Sequence, residues 1–414
     1  MLKQLILENW RSFGKAELSL NPLTVLIGKN GSGKSNAIEA LEFLKKTVRG
    51  ENFQAALSGD NILLSIRSGA EGAYRKSTPY FTLKVLIQGE NERINYLYVI
   101  TVQTQPQIQL FYEYLVLQEY KQNKQYPVQT TLLETHLDLS NSPKITAEIY
   151  NNENNKIQVL WERDYSILSQ IKGVYSPSKL VEGIKVVSQT LEELFILNPI
   201  PDRMRNYSRL AQNLASDGSN IAGVLAALPE KQKAQLESTI SVYARQLVEV
   251  DIQRLWTEKV GRLGTEAMLY CEELWQPFHP IEIDARSLSD GTLRLLAILT
   301  ALLTRPPGSQ IIIENVDYGL YPSRFSLILR MIREISAKRK IDLLITTHNP
   351  TLINTLESEI LLLIVVVHRD LVTGKSQLTF VKNPKNILQL MTSDSLVKVA
   401  TNGTVEKLTA HSNS

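Results

Sequence analysis

Apolar and polar positions change rhythm several times along the chain. Residues 3–20 mix the two in the manner of a hairpin that opens a domain, and "LTVLI" at Leu23–Ile27, apolar but for Thr24, reads as a buried strand. A Gly-rich turn follows, then Ala37, Ile38, Ala40, Leu41, Phe43 and Leu44 recur at helical spacing. From Phe81 to Trp161 the texture becomes alternating, with "FTLKVLIQ", "INYLYVITV" and "IQLFYEYLVL" separated by polar turns such as "GENER" and "NNENNK", which predicts an antiparallel lobe. Between Ser176 and Leu247 the helical period returns, as in Leu236, Ile240, Tyr243 and Leu247, broken by "NPIPD" and "SDGSN". A hairpin over 248–256 and 267–275 leads into "ARSLSDGTLRLLAILTALL". The closing part reads strand, helix, strand in "QIIIEN", "SLILRMIREIS" and "DLLITTHNP", with "ILLLIVVVHRD" and "SQLTFVKN" as a final hairpin.

Strand–helix alternation thus stands at both ends, with other elements inserted between them. The expected fold is α/β, a mostly parallel core sheet with an antiparallel β lobe and a helical lobe. One unit is expected over 1–414, with subregions 1–50 (strand, turn and helix), 51–165 (antiparallel lobe), 166–280 (helical and β insertion), 281–360 and a C-terminal hairpin and tail at 361–414. No internal repeat is present, and no heptad pattern is long enough for a coiled-coil arm.

Composition narrows the functional classes. At 414 residues and 43% hydrophobic the chain can bury a large core. A formal charge of +3 is too mild to imply a nucleic-acid partner without local clusters of Lys and Arg. Cys271 is the only cysteine, so neither an intrachain disulfide nor a cysteine zinc site can form, and the cytoplasm is the expected compartment. "MLKQLILENW" makes a poor signal peptide, and the longest apolar run, Ile360 to Val367, falls far short of the ~20 residues a bilayer requires.

Residues 28–35, Gly-Lys-Asn-Gly-Ser-Gly-Lys-Ser, fit the phosphate-loop pattern in full, between an apolar strand and an amphipathic helix. The glycines, Gly31 and Gly33 among them, let the backbone curl so that its N–H groups and the helix N-terminus point at phosphate oxygens, and Asn30, Ser32 and Asn36 are further expected nucleotide-binding positions. Lys34 reaches the β- and γ-phosphates of ATP in such a loop, and the Ser35 hydroxyl ligates Mg²⁺. Glu314, closing the Ile311–Ile313 strand, is the expected further carboxylate for that metal, acting through water. The next position is Asn315, and an amide has almost no basicity at neutral pH. "LSDGT" at 288–292 places a short side-chain cap and a glycine at a helix start, able to present a hydroxyl and N–H groups to an anion.

Taken in order, the phosphate loop, "SLSDGTLRLLAILTALL", "IENVDYGLYPSR" and "LLITTHNPTLINTL" resemble the ABC-type ATPases of the RecF, SMC and OLD class, in the compact form without coiled-coil arms. The likeness covers most of the chain and includes "LENWRSFGKAELSLNPLTVLIGKNGSGKSNAIEALEFL". It implies that Arg11 and Ser12 lie beside the nucleotide, and that Ser289 and Gly291 contact the γ-phosphate of ATP held by a second subunit. It further implies that His348 senses that phosphate, and that residues 318–321 are exchanged between subunits. A head-to-tail homodimer with ATP sandwiched between subunits follows from the resemblance, as do a role in DNA repair or phage defence, a separate effector protein and possible DNA contact. Where the class commonly reads Glu-Glu-Pro-Glu or Glu-Glu-Val-Asp, this chain reads Glu314-Asn315-Val316-Asp317, and Tyr321 replaces a histidine. The expectation is therefore slow hydrolysis with Asp317 or His348 as a substitute base; the alternative is an ATP-bound scaffold without meaningful turnover.

Other matches carry less. "HRDL" at 368–371 imitates a kinase catalytic loop, but Lys375 stands where an Asn belongs and a strand precedes it, so a hairpin turn is expected. Asn206 and Asn402 sit in glycosylation-type triplets without meaning in a cytosolic protein. Arg203, Arg205 and Arg209, with Lys338, Arg339 and Lys340, are the candidate basic contacts, against the plainer reading of a solvated face.

Overall fold

The computed structural model describes all residues except 60–65, 67–68, 75–77, 122–125, 137–141, 151–155, 172–178, 248–251, 277–278, 321–323, 350–362 and 381–414. The chain opens with β1 (Leu2–Glu8), β2 (Lys15–Ser19) and β3 (Leu23–Ile27), then α1 (Lys34–Val48) and α2 (Phe53–Ser58). Six strands follow: β4 (Tyr80–Gln88), β5 (Ile94–Gln103), β6 (Gln109–Glu119), β7 (Val128–Thr135), β8 (Lys144–Tyr150) and β9 (Lys156–Glu162). Next come α3 (Ile167–Ile171), α4 (Lys179–Glu192), β10 (Phe195–Leu197), α5 (Pro201–Met204), β11 (Ser208–Arg209), α6 (Ile221–Ala226) and α7 (Glu230–Leu247). The remainder is β12 (Ile252–Val260), β13 (Glu266–Gln276), β14 (His279–Asp284), α8 (Asp290–Thr304), β15 (Gln310–Ile313), α9 (Phe325–Arg339), β16 (Asp342–Thr347), β17 (Ile364–Arg369) and β18 (Ser376–Phe380).

These elements form two compact units, one of 1–21, 28–194 and 365–414, the other of 22–27 and 195–364. In the first, eight strands make one antiparallel sheet in the order β2-β1-β4-β5-β6-β7-β8-β9. The opening hairpin is present as read, and β1 also pairs with β4, Leu5 against Val85, so residues 1–20 belong to the antiparallel sheet. Alternation explains the choice: Leu2, Leu5 and Leu7 are buried while their neighbours are partly exposed, a half-buried strand suited to a sheet covered on one side. An aromatic cluster anchors α1 on this sheet, with Trp10 4.8 Å from Phe81 edge-to-face and Phe43 5.5 Å from Phe81. The 370–375 segment is the hairpin turn expected of "HRDL", with Asp370 accepting from the Thr373 N–H at 2.6 Å, and β17 and β18 pair antiparallel across it.

In the second unit β10, β15, β16 and β3 run parallel in that order. All five residues of β3 are buried, as are three of the four in β15 and five of the six in β16, as expected of strands inside a parallel sheet, with Thr24, Thr346 and Thr347 buried beside the aliphatic side chains. A smaller antiparallel sheet holds β11, β13, β12 and β14. Its β12–β13 hairpin matches the reading over 252–275, whereas 248–251 lie outside the described residues. Strand β14 was not read from the sequence: in "HPIEID" only Ile281 and Ile283 alternate with polar residues, and in the structure every position is exposed or half-exposed. Among the described residues no helix is long and apolar enough to cross a membrane.

Candidate functional site

The phosphate loop lies in the first unit and joins β3 to α1. Gly31 and Gly33 adopt φ of 79° and 120°, the left-handed region that favours glycine. A Cβ on Gly28 would stand 2.2 Å from the Val367 carbonyl oxygen, so that position admits no side chain. Helix α1 begins at Lys34 without a side-chain cap on Gly33 and without an acidic residue in its first turn, the arrangement that suits an anion at a helix N-terminus. The Lys34 ammonium folds over the loop and donates to the carbonyls of Gly28 at 2.6 Å and Lys29 at 3.1 Å. The Ser32 hydroxyl is buried and has no protein partner among the described residues. A cradle closed to side chains, a cation above it and an unsatisfied buried hydroxyl within it fit a bound phosphate chain.

Several of the expected neighbours are drawn around this loop. The Ser12 hydroxyl accepts from the Asn36 side-chain amide at 2.7 Å, and Trp10 Nε1 donates to the Asn36 carbonyl at 2.7 Å. Arg11, itself at φ 51°, pairs with Glu39 on α1. Two residues outside the motif also take part. Ser376 places its hydroxyl 2.7 Å from that of Ser12 and 2.5 Å from the Ser32 carbonyl, and Arg369 Nε donates to the Gly31 carbonyl at 2.9 Å. Both come from the last hairpin, more than three hundred residues along the chain, and no local signal marks them.

In the second unit the buried strand β15 ends at Ile313, followed by buried Glu314. Glu314 N–H donates to the Leu197 carbonyl at 3.0 Å, so the backbone carrying the carboxylate is held by the parallel neighbour. Asn315 turns into the left-handed region at φ 49°, and Thr346 on β16 fixes the turn, its hydroxyl accepting from Asn315 N at 2.9 Å and its carbonyl from Val316 N at 2.9 Å. Asp317 is buried and sits 3.2 Å from His348 Nδ1 through Oδ2. Its other oxygen, Oδ1, is buried with no partner among the described residues. The motif reading had treated Asp317 and His348 as alternatives, and the structure brings them together as a pair.

Ser289 caps α8, accepting from Thr292 N at 3.1 Å, and Gly291 meets the loop after Asp317 so closely that a Cβ there would stand 2.0 Å from the Gly319 carbonyl oxygen. Both positions therefore have a local structural role beside the one the resemblance implies. Tyr318 packs under Arg294, whose guanidinium carbon is 4.6 Å from the ring centre. Tyr321, expected in the same exchanged segment, lies outside the described residues. Of the basic residues considered for nucleic acid, Arg203 pairs with Asp217 at 3.1 Å, Arg205 with Asp290 at 2.6 Å and with Asp202 at 3.2 Å, and Lys338 with Glu334 at 2.8 Å. Carboxylates answer each of these three charges, so they do not form a bare phosphate-binding patch.

A family model described as an AAA ATPase domain matches residues 1–184, and an AAA-domain model whose description names the AbiEii toxin of a type IV TA system matches residues 281–354. Among solved structures, an SMC head bound to the C-terminal winged-helix domain of ScpA is 12% identical, with 93% of this chain and 99% of that chain aligned at a TM-score of 0.51. The SMC head with an extended coiled coil, bound to the C-terminal domain of ScpA derived from Pyrococcus furiosus, is 12% identical over 94% of this chain and 98% of that one, at a TM-score of 0.50. No curated protein matches the chain. The structural likenesses define the fold as that of an ABC-type ATPase head. Together with the two AAA-domain matches, over residues 1–184 and 281–354, this fold supports an ATP-binding ATPase of ABC type.

Proposed function

We propose that the chain is an ATP-dependent dimerising switch with slow hydrolysis, acting in the cytoplasm in DNA maintenance or anti-phage defence together with a separate effector protein. The observation that carries this reading is the phosphate loop, whose glycine geometry, lysine and unsatisfied Ser32 hydroxyl all suit a polyphosphate. The Ser35 hydroxyl, at the start of α1, is an oxygen donor of the kind a hard cation takes and would hold Mg²⁺ against the phosphates, whose charge the ion would neutralise; the Glu314 carboxylate is a donor of the same kind. ATP bound at the loop of one subunit and met by Ser289 and Gly291 of a second makes nucleotide the glue of a head-to-tail homodimer, and hydrolysis its release. Asn315 in the place of a carboxylate makes that release slow. The defence assignment draws support from the family match whose description names a toxin–antitoxin system, and the effector from the partner seen on the SMC heads.

The test is the oligomeric state of the purified chain by light scattering, with and without ATP and Mg²⁺, beside Lys34→Ala. The expected result is a dimer only with nucleotide, lost in the variant, and hydrolysis far slower than dimerisation. Failure of the wild-type chain to bind ATP overturns the reading. Tight ATP binding with no turnover would replace the switch by a scaffold fixed by nucleotide.

A further inference from the structure

The antiparallel sheet of the first unit ends at β9, and among the described residues no strand pairs with its outer edge. Two observations say which groups that edge presents. Glu162 N–H donates to Gln170 Oε1 at 3.2 Å and Gln170 Nε2 donates to the Glu162 carbonyl at 2.9 Å, so the backbone of Glu162 points away from β8. On the other side of β8, His136 N–H donates to the Thr146 carbonyl at 2.9 Å, so Thr146 turns to β7 and its neighbour Ala147 turns to β9, opposite Val159. Peptide groups alternate in direction along an antiparallel strand. Gln158 and Leu160 therefore direct their N–H and C=O outward, while Gln170 covers the edge at Glu162.

Native edge strands are commonly blunted by proline, by bulges or by inward-pointing charges. β9 reads "KIQVLWE" over seven residues, has no proline and pairs with β8 without a bulge. Its charges, Lys156 and Glu162, stand at the two ends, and between them Ile157 is 49% and Leu160 63% exposed. One row of side chains runs Leu133, Ile149, Ile157 across β7, β8 and β9; the first two are buried, and the third is half-exposed because no strand follows it. The strand supplies its own complement. Laid antiparallel on a second copy about Val159, it sets Lys156 opposite Glu162, Ile157 opposite Trp161 and Gln158 opposite Leu160. Opposite charges and an aromatic beside a β-branched residue are favourable cross-strand pairs, and no like charges face one another in this register. It also brings the outward peptide groups of Gln158 against those of Leu160, as a ladder requires.

We propose that β9 is a homotypic docking edge, on which a second copy of this chain pairs antiparallel and joins two eight-stranded sheets into one. A two-fold axis at Val159 makes the contact self-closing, so it adds one copy and no more. It needs no nucleotide and does not rest on the ATP reading. A single strand pair buries far less than a standard interface, so the contact is weak. In dilute protein it is empty, and it fills at high concentration or where another contact already holds copies close.

Because Cys271 is the only cysteine and is buried, introduced cysteines report the register. Full-length Val159→Cys and Ile157→Cys are oxidised with copper phenanthroline, without nucleotide and at high protein concentration, and read on a non-reducing gel beside wild type. Val159 meets its own copy in a non-hydrogen-bonded pair, where Cβ atoms come closest, whereas Ile157 lies opposite Trp161 and far from its own copy. Val159→Cys should cross-link at least about tenfold faster than Ile157→Cys, and wild type should not cross-link. Sedimentation without nucleotide should show wild-type monomer passing to dimer as concentration rises. Leu160→Lys alters an exposed side chain, leaves the pairing with β8 in place and sets lysines of the two copies diagonal to each other. It should weaken the association about tenfold or more.

Equal cross-linking of the two cysteine variants means random collision and overturns the proposal, as does its absence in Val159→Cys. A wild-type chain that stays monomeric at every concentration without nucleotide, or an association that Leu160→Lys leaves unchanged, overturns it too. Lys34→Ala should keep the contact in full; its loss there would assign the association to the nucleotide site. Dimerisation by ATP should persist in Leu160→Lys, so failure at β9 and failure of the nucleotide reading are read separately.

Discussion

Replacing Asn315 by glutamate puts back the carboxylate that the class commonly carries at this place, and the structure sets both sides of the outcome. Asn315 has φ 49°, a left-handed conformation in which asparagine is several-fold enriched and a longer side chain costs on the order of 1 kcal/mol. Hydrogen bonds at both ends of the residue, from its N–H to Thr346 Oγ1 at 2.9 Å and from Tyr318 N to its carbonyl at 3.0 Å, oppose relaxation of the turn. Asn315→Glu should therefore melt roughly 2–4 °C lower if the second unit unfolds cooperatively. Against that stands a general base contributing ~10²–10⁴ in rate, or about 3–5 kcal/mol in barrier. The catalytic gain exceeds the strain several times over. The assay is single-turnover hydrolysis with Mg²⁺, with dimer lifetime followed by light scattering in the same samples, beside Asn315→Gln, which has the strain without the base. The glutamate variant should hydrolyse at least ~10²-fold faster than the glutamine variant and lose its ATP-bound dimer sooner. Equal rates in the two variants would refute the argument that position 315 limits turnover.

Two further outcomes follow from groups outside the nucleotide site. Glu113 is fully buried and accepts from Tyr98 Oη at 2.9 Å, Ser166 Oγ at 2.7 Å and the N–H groups of Ile167 and Leu168 at 2.7 and 3.1 Å, so it caps α3 from another strand. Glu113→Gln turns one acceptor into a donor facing those N–H groups and should cost about 2–3 kcal/mol, read as a lower urea midpoint of the first unit; an unchanged midpoint would contradict the cap. Burial, with Glu273 and Glu272 nearby, pushes the Cys271 thiol up to about 12. At pH 8 it should stay protonated and unreactive toward an alkylating reagent in the native chain, then label once per chain on denaturation, and native labelling at the denatured rate would show that β13 opens.

What the sequence determined by itself was whatever depends on residues a few positions apart. Gly28 to Ser35 specify a loop through backbone freedom and a helix start, Leu23–Ile27 and Ile311–Ile313 specify buried strands through mainly apolar side chains, and Ser289 specifies a cap for the helix that starts at the next residue. These are local forces, so the parallel core, the antiparallel lobe and the motif order were legible. Only the tertiary structure decided that β1 joins the antiparallel sheet, that exposed β14 is a strand at all, and that Ser376 and Arg369 return from the far end of the chain to the phosphate loop. It also made one unit of Asp317 and His348, which stand 31 positions apart in numbering yet 3.2 Å apart in space, and it gave Asn315 a backbone reason for being asparagine. The physical reason is common to all of these. A polar side chain's role is set by the donors and acceptors within about 3 Å of it, and those neighbours are chosen by long-range packing that no local pattern records.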